Sequence, residues 1–254
     1  MKKALHNPLA QYLIALADDE LILGHRNSEW TGHAPILEED IAFANIALDE
    51  IGHARLWYEL AADLTGEDKN TFPDKQVFFR PAKDFRCLQF VELPKGDWAF
   101  SLLPQYLFDA FEAQRLKGLM KSKHKPLADV AAKINNEEIY HLRHTRAWVT
   151  RLGLGTDESL RRMQAALDEL WLYAQALGTA LPGEIELVGD SLVPSSSKTL
   201  VSWKKEVSAF LKKASLKTIE TTVHDVDRAV HSEYLGLLLK DMQEVAQTEP
   251  EASW

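Results

Sequence analysis

The sequence predicts an all-α fold, a four-helix bundle with a long crossover between its second and third helices and further helices after the fourth. Three observations carry that prediction. Apolar residues recur at alternating steps of three and four over four long stretches, the spacing that gives a helix one core-facing side. Runs with strand-like alternation are nearly absent. Two of the connections are short and one is long, which makes the helices antiparallel neighbours within each pair and lets the crossover run the length of the bundle.

The first helix follows Pro8 and places Leu9, Leu13, Leu16 and Leu23 on one face, ending near the loop from Glu29 to Pro35. The second starts after Pro35, where Glu38, Glu39 and Asp40 suit the positive end of the helix dipole. Phe43, Ile46, Trp57, Leu60 and Leu64 form its stripe, and Gly66 stops it. Residues 67–96 contain Pro73, Pro81 and Pro94 but no helical period, and form the crossover. The third helix has Asp97 as its cap and Leu102, Gln105, Leu116 and Leu119 on its stripe, with Pro104 expected to kink it or mark its true start. The fourth starts near Pro126 and runs through Ala131, Ile134, Trp148 and Leu152 to Gly153. This order is ferritin-like connectivity. Beyond it, residues 157–177 and 198–214 read as amphipathic helices, Ser232 caps a last one to about Val245, and the residues through Trp254 read as a tail. The segment 217–230 carries β-branched residues and no assignable period. Residues 1–254 read as one domain, with a bundle core over about 8–153 and a helical extension over about 156–247.

With 254 residues, 46% of them hydrophobic, the chain can bury an adequate core without staples. Cys87 is the only cysteine, which excludes an internal disulfide framework and zinc sites built on paired thiolates. A net charge of −9 argues against binding nucleic-acid phosphates by bulk charge. No run approaches the ~20 apolar residues of a membrane span. Asn7, Pro8, Gln11 and Tyr12 break up the apolar stretch that faintly imitates a signal peptide after Lys2 and Lys3. A soluble cytoplasmic protein is the expectation.

Six polar residues interrupt the apolar stripes: Glu20 on the first helix, Glu50 and His53 on the second, Glu112 on the third, Glu138 and His141 on the fourth. Each Glu-x-x-His puts both side chains on one helical face. The strings Glu50-Ile51-Gly52-His53-Ala54-Arg55 and Glu138-Ile139-Tyr140-His141-Leu142-Arg143 form a short internal repeat. The levels agree as well. Glu20 lies about fourteen residues before the first turn and Glu50 about sixteen after it, while Glu112 and Glu138 are each about thirteen from the turn near Lys125. A lone Glu-x-x-His is usually a surface pair. Two of them, each with a level Glu on the preceding helix, match the carboxylate-bridged dimetal pattern. Four buried carboxylates without partners are strongly penalised, whereas four carboxylates, two neutral imidazoles and two divalent cations sum to zero. The donor set suits iron first, with manganese or zinc as alternatives. Glu50 and Glu138 are then expected to bridge, with Glu20 and Glu112 terminal. Asp109, one turn before Glu112, and next Asp18 are expected to stand behind the ligands and orient a histidine. Asp49 is read as solvated, Tyr140 and Trp57 as packing, and Arg55, Arg143 and Arg146 as partners of nearby acids. His25, His33, His144, His224 and His231 are read as ordinary, and Cys87 as lacking a base to activate it.

The runs Glu29-Trp30-Thr31-Gly32-His33-Ala34-Pro35-Ile36-Leu37-Glu38, Ala44 to Asp49 and Gly52 to Arg55 resemble the PaaC (PaaI-type) subunits of bacterial phenylacetyl-CoA 1,2-epoxidase, in the ferritin-like superfamily. Gln105-Tyr106 with Asp109, Tyr140 to Arg143, and His231-Ser232-Glu233 leading to Leu235-Gly236 extend the resemblance over nearly the whole chain. It implies an accessory subunit of a multicomponent monooxygenase in aerobic phenylacetate degradation. The partners it implies are a homologous PaaA-type catalytic subunit with a di-iron centre, a reductase, and phenylacetyl-CoA as substrate of the complex, assembled as a homo- or hetero-oligomer. In that family the PaaC-type metal site is usually degenerate, yet all six candidate ligands stand here. The full set keeps a second reading open, an independently active di-iron oxygenase or oxidase using O2. Iron storage is weaker, since a simple cage needs neither the crossover nor the C-terminal helices.

Overall fold

The computed structural model describes residues 1–220, 226–250 and 252, and every regular element among them is helical. Four long helices form the ferritin-like bundle. The first antiparallel pair is α1 (His6–Ser28) and α2 (Leu37–Thr65), which ends at Gly66 in the left-handed conformation that glycine adopts without strain. The crossover holds two short helices, α3 (Phe72–Phe78) and α4 (Gln89–Glu92), where the sequence shows no period. Pro73 suits the first turn of α3, whose N–H groups have no helical partner. The second pair is α5 (Trp98–Leu119) and α6 (Lys125–Gly153). Asp97 caps α5 by accepting from the Phe100 N–H, and the helix continues through Pro104 rather than starting there.

The extension adds α7 (Asp157–Ala174), the unforeseen short α8 (Glu184–Gly189), α9 (Ser196–Lys213) and α10 (Glu233–Thr248). Trp203 of α9 stacks on Trp171 of α7 at 5.4 Å between ring centroids, and its indole N–H donates to the Leu107 carbonyl of α5 at 3.0 Å. Ser232 precedes α10 as expected, but does not cap it with its side chain. Its hydroxyl and N–H both donate to Glu92 Oε2 of α4, at 2.6 and 2.7 Å. Residues 217–220 and 226–230 form neither helix nor strand. The remainder of that segment, with His224, and residues 251, 253 and 254 of the tail lie outside the described residues.

Two adjacent acids fasten the crossover to α1. Asp18 accepts from the Tyr58 hydroxyl at 2.5 Å, from both Arg80 Nη atoms and from the Arg86 N–H. Asp19 accepts from the Leu88 N–H at 2.8 Å and from Arg228 Nη1 at 2.9 Å. Gly24 permits α1 to lie close on α2, since a Cβ there would stand 2.9 Å from the Cβ of Glu50. No helix among the described residues is long and apolar enough to cross a membrane.

Candidate metal centre

The six stripe-breaking residues all face the bundle interior, and none is more than 3% exposed. The structure brings five of them together. His53 Nδ1 lies 3.6 Å from Glu20 Oε2, 3.9 Å from Glu50 Oε2 and 3.5 Å from Glu138 Oε1. His141 Nδ1 lies 3.6 Å from Glu50 Oε1 and 3.3 Å from Glu138 Oε1. Glu50 thus presents one oxygen to each histidine, and Glu138 Oε1 stands between them. Donors around an ion with bonds of about 2.0–2.2 Å are spaced by about 3–3.5 Å, close to these separations. Both oxygens of Glu20 and of Glu138, Glu50 Oε2, His53 Nδ1 and His141 Nδ1 are buried without a hydrogen-bond partner among the described residues. Orphaned buried donors of this kind carry a desolvation penalty that a cation would remove. The residues present therefore fit a divalent metal.

The electrostatics agree with that requirement. Burial pushes Glu20 and Glu138 well above the usual carboxylate range, and the charge of Glu50 adds to both rises. Burial opposes ionisation of Glu50 too, but its neighbours Glu20, His141 and His53 outweigh it and hold Glu50 down at about 2. Burial alone would lower His141; Glu138 and Glu50 instead hold it far above its ordinary value. Burial thus favours the neutral form of Glu20 and Glu138, which a cation beside them would reverse.

Behind the histidines the structure departs from expectation. Asp49, read as solvated, is half exposed yet places Oδ2 3.1 Å from His141 Nε2. Glu137 Oε2 lies 2.8 Å from His53 Nε2. The acid before the glutamate on each helix thus reaches the histidine of the other helix. Two residues expected behind the ligands do otherwise. Asp18 is taken up by Arg80, Arg86 and Tyr58, because it faces the crossover. Asp109 makes no hydrogen bond to His141. Its Oδ1 accepts from Gln105 Nε2 at 2.5 Å and its Oδ2 from the Thr145 hydroxyl at 2.8 Å, while donor atoms of Asp109, Glu50 and His141 lie within 4.8 Å of one another. Burial pushes Asp109 up to about 7, a rise the His141 charge opposes.

Glu112 is the expected ligand that the geometry withholds. It belongs to neither cluster of candidate ligand atoms in the bundle interior, the four of Glu20, Glu50, His53 and Glu138 or the three of Glu50, Asp109 and His141. Arg115, one turn further along α5 and itself buried, holds it by an ion pair of 2.5 Å from Nη1 to Oε1. Burial pushes Glu112 up to about 7, partly offset by this guanidinium. Gln105 is the other residue whose role was missed. Its Nε2 donates to Glu50 Oε1 at 2.6 Å as well as to Asp109, and Asn27 Nδ2 fixes the amide by donating to its Oε1 at 2.5 Å.

Elsewhere, Trp57 fills core, Arg55 pairs with Glu59 and Arg146 with Glu206. Tyr140 is 70% exposed rather than packed. Cys87 does have acid–base neighbours, since its thiol donates to Glu92 Oε1 at 3.6 Å and His231 Nδ1 lies 2.6 Å from the same oxygen. Burial, then the Glu92 charge, pushes that thiol well above its ordinary range, so it stays protonated.

Comparison with known proteins completes the picture. A family described as phenylacetic acid catabolic protein matches residues 1–254. The C component of the 1,2-phenylacetyl-CoA epoxidase of Escherichia coli (strain K12) is 36% identical over 250 residues, which cover 98% of this chain and 100% of that relative.

Proposed function

Because the chain belongs to the phenylacetic acid catabolic protein family, we propose that it is the C-type component of a phenylacetyl-CoA epoxidase. The observation that carries this reading is the similarity to such a component over essentially the full length of both chains. In this reading the chain is an accessory subunit, one domain in which the C-terminal helices are integral. It works in the cytoplasm with a homologous catalytic subunit and a reductase, and ring epoxidation of phenylacetyl-CoA takes place on the partner. Leu37, Ile41, Leu48 and Tyr140, exposed on α2 and α6, support the partnership by offering apolar surface to another chain.

The metal is part of the proposal. Glu20, Glu50, His53 and Glu138 would hold it, with iron as the first candidate and manganese or zinc as alternatives. When bound, such an ion neutralises buried carboxylates and supplies redox or Lewis-acid chemistry. This chain's own residues orient the site: Glu137 fixes His53, Asp49 fixes His141, and Gln105 fixes Glu50. The complete pair of Glu-x-x-His motifs is what favours the second reading, an oxygenase active by itself.

Co-expression with the cognate catalytic partner separates the two. Co-purification at fixed stoichiometry, and epoxide formation that needs both chains, are expected. A chain with no affinity for that partner, or one that epoxidises when reduced and exposed to O2 alone, overturns the accessory role.

A further inference from the structure

The two halves of the site are not equally free to take an ion. Resting on the metal reading above, we propose that the centre takes one divalent ion, at Glu20, Glu50, His53 and Glu138, and that Gln105 and Arg115 stand where a second ion would need its ligands.

On the His53 side, both Glu20 oxygens, Glu50 Oε2, His53 Nδ1 and both Glu138 oxygens have no hydrogen-bond partner among the described residues. On the His141 side Glu50 Oε1 and both Asp109 oxygens accept hydrogen bonds, and Glu112 meets Arg115 in an ion pair, while His141 Nδ1 has no hydrogen-bond partner among the described residues. The Gln105 amide nitrogen sits 2.6 Å from Glu50 Oε1 and 2.5 Å from Asp109 Oδ1, between the two carboxylates a second ion would join. Asn27 locks the amide in that orientation, so its N–H groups rather than its oxygen face the carboxylates. Thr145 takes the remaining Asp109 oxygen. The terminal carboxylate of that half, Glu112, is turned to the Arg115 guanidinium, which is always charged and only 1% exposed. A second ion would have to displace a buried amide held at both ends and break a buried ion pair, leaving the guanidinium without its partner. An ion at Glu20, Glu50 Oε2, His53 Nδ1 and Glu138 would displace no such amide or guanidinium.

Anaerobic titration of the chelator-treated full chain with Mn(II) tests this, read by equilibrium dialysis and by electron paramagnetic resonance. One Mn per chain with the six-line signal of an isolated ion is expected. Two Mn per chain with an exchange-coupled spectrum overturn the inference but leave the metal reading intact. No Mn bound to a chain with native circular dichroism overturns both. The variant Glu112→Gln/Arg115→Met removes the ion pair as a unit and is expected to keep one Mn, with affinity within about threefold of wild type; tenfold weaker binding would show Glu112 to be a ligand. If that variant fails to fold, the wild-type stoichiometry and spectrum decide alone.

Discussion

The α1–α2 hairpin and the α5–α6 hairpin carry nearly the same pattern, a glutamate on the first helix and acid-Glu-x-x-His on the second. In the first hairpin Glu20, Glu50 Oε2 and His53 Nδ1 converge with no hydrogen-bond partner among the described residues. In the second, Gln105 and Arg115 on α5 have drawn two of the carboxylates into hydrogen bonding and ion pairing. The lesson is that identical ligand spacing does not fix the chemistry. What the intervening helix places one turn away decides whether a carboxylate waits for a cation or already has one.

Breaking this contrast is most direct at the histidines. His53→Ala is expected to weaken Mn(II) binding about 100-fold or more, whereas His141→Ala should cost about tenfold or less, by analogy with the 10- to 100-fold effects of groups around metal sites. Equal losses in a calorimetric titration would show the halves to be equivalent. A smaller effect is expected from Gln105→Leu, which strands Asn27 and removes a donor from Glu50 and Asp109. Stability of the metal-free chain should fall by about 1–3 kcal/mol in urea denaturation. No change would mean the amide is replaceable by water and the second half open.

A further effect concerns pH. Burial pushes Asp109 and Glu112 up to about 7, while the same groups in an unfolded chain titrate near pH 4. Between about pH 4 and 7 the folded state therefore binds protons that the unfolded state does not, so these two groups make metal-free stability fall as pH rises. The two shifts together amount to about 4 kcal/mol between pH 5.5 and 7.5, so a Tm lower by roughly ten degrees at the higher pH is expected. An ion confined to the His53 side should leave part of that slope in place; an ion in each half should abolish it.

The bundle was legible because its stripes are long and its breaks are few. Glu20, Glu50, His53, Glu138 and His141 stood out for one physical reason, that each is a charged or polar residue where the period demands an apolar one. The same logic could have found Arg115, since Glu112-x-x-Arg115 has the spacing of Glu-x-x-His and lies on the same face. Gln105 was visible on the stripe but carries no charge to draw notice. Asp49 and Glu137 were hidden differently. Each lies one step off the interior face of its helix, and only the closeness of α2 to α6 lets it reach across to the other helix's histidine. The Asp49-Glu50 and Glu137-Glu138 doublets were the available signal. The C-terminal arrangement had none, because Glu92, His231 and Ser232 meet only in three dimensions.

The ion pair between Asp19 and Arg228 joins residues 209 positions apart, and both partners are almost wholly buried. Asp19 is next to Glu20, so the carboxylate that neighbours the candidate site meets its guanidinium only after residue 228 has left the ribosome. Until then Asp19 has the Leu88 N–H but not its guanidinium, and a buried carboxylate that lacks its charge partner is destabilising by about 3–5 kcal/mol. Synthesis from the amino end thus leaves Asp19 without its guanidinium until Arg228, 209 positions later, has been made, on the order of 10–40 s at about 5–20 residues per second.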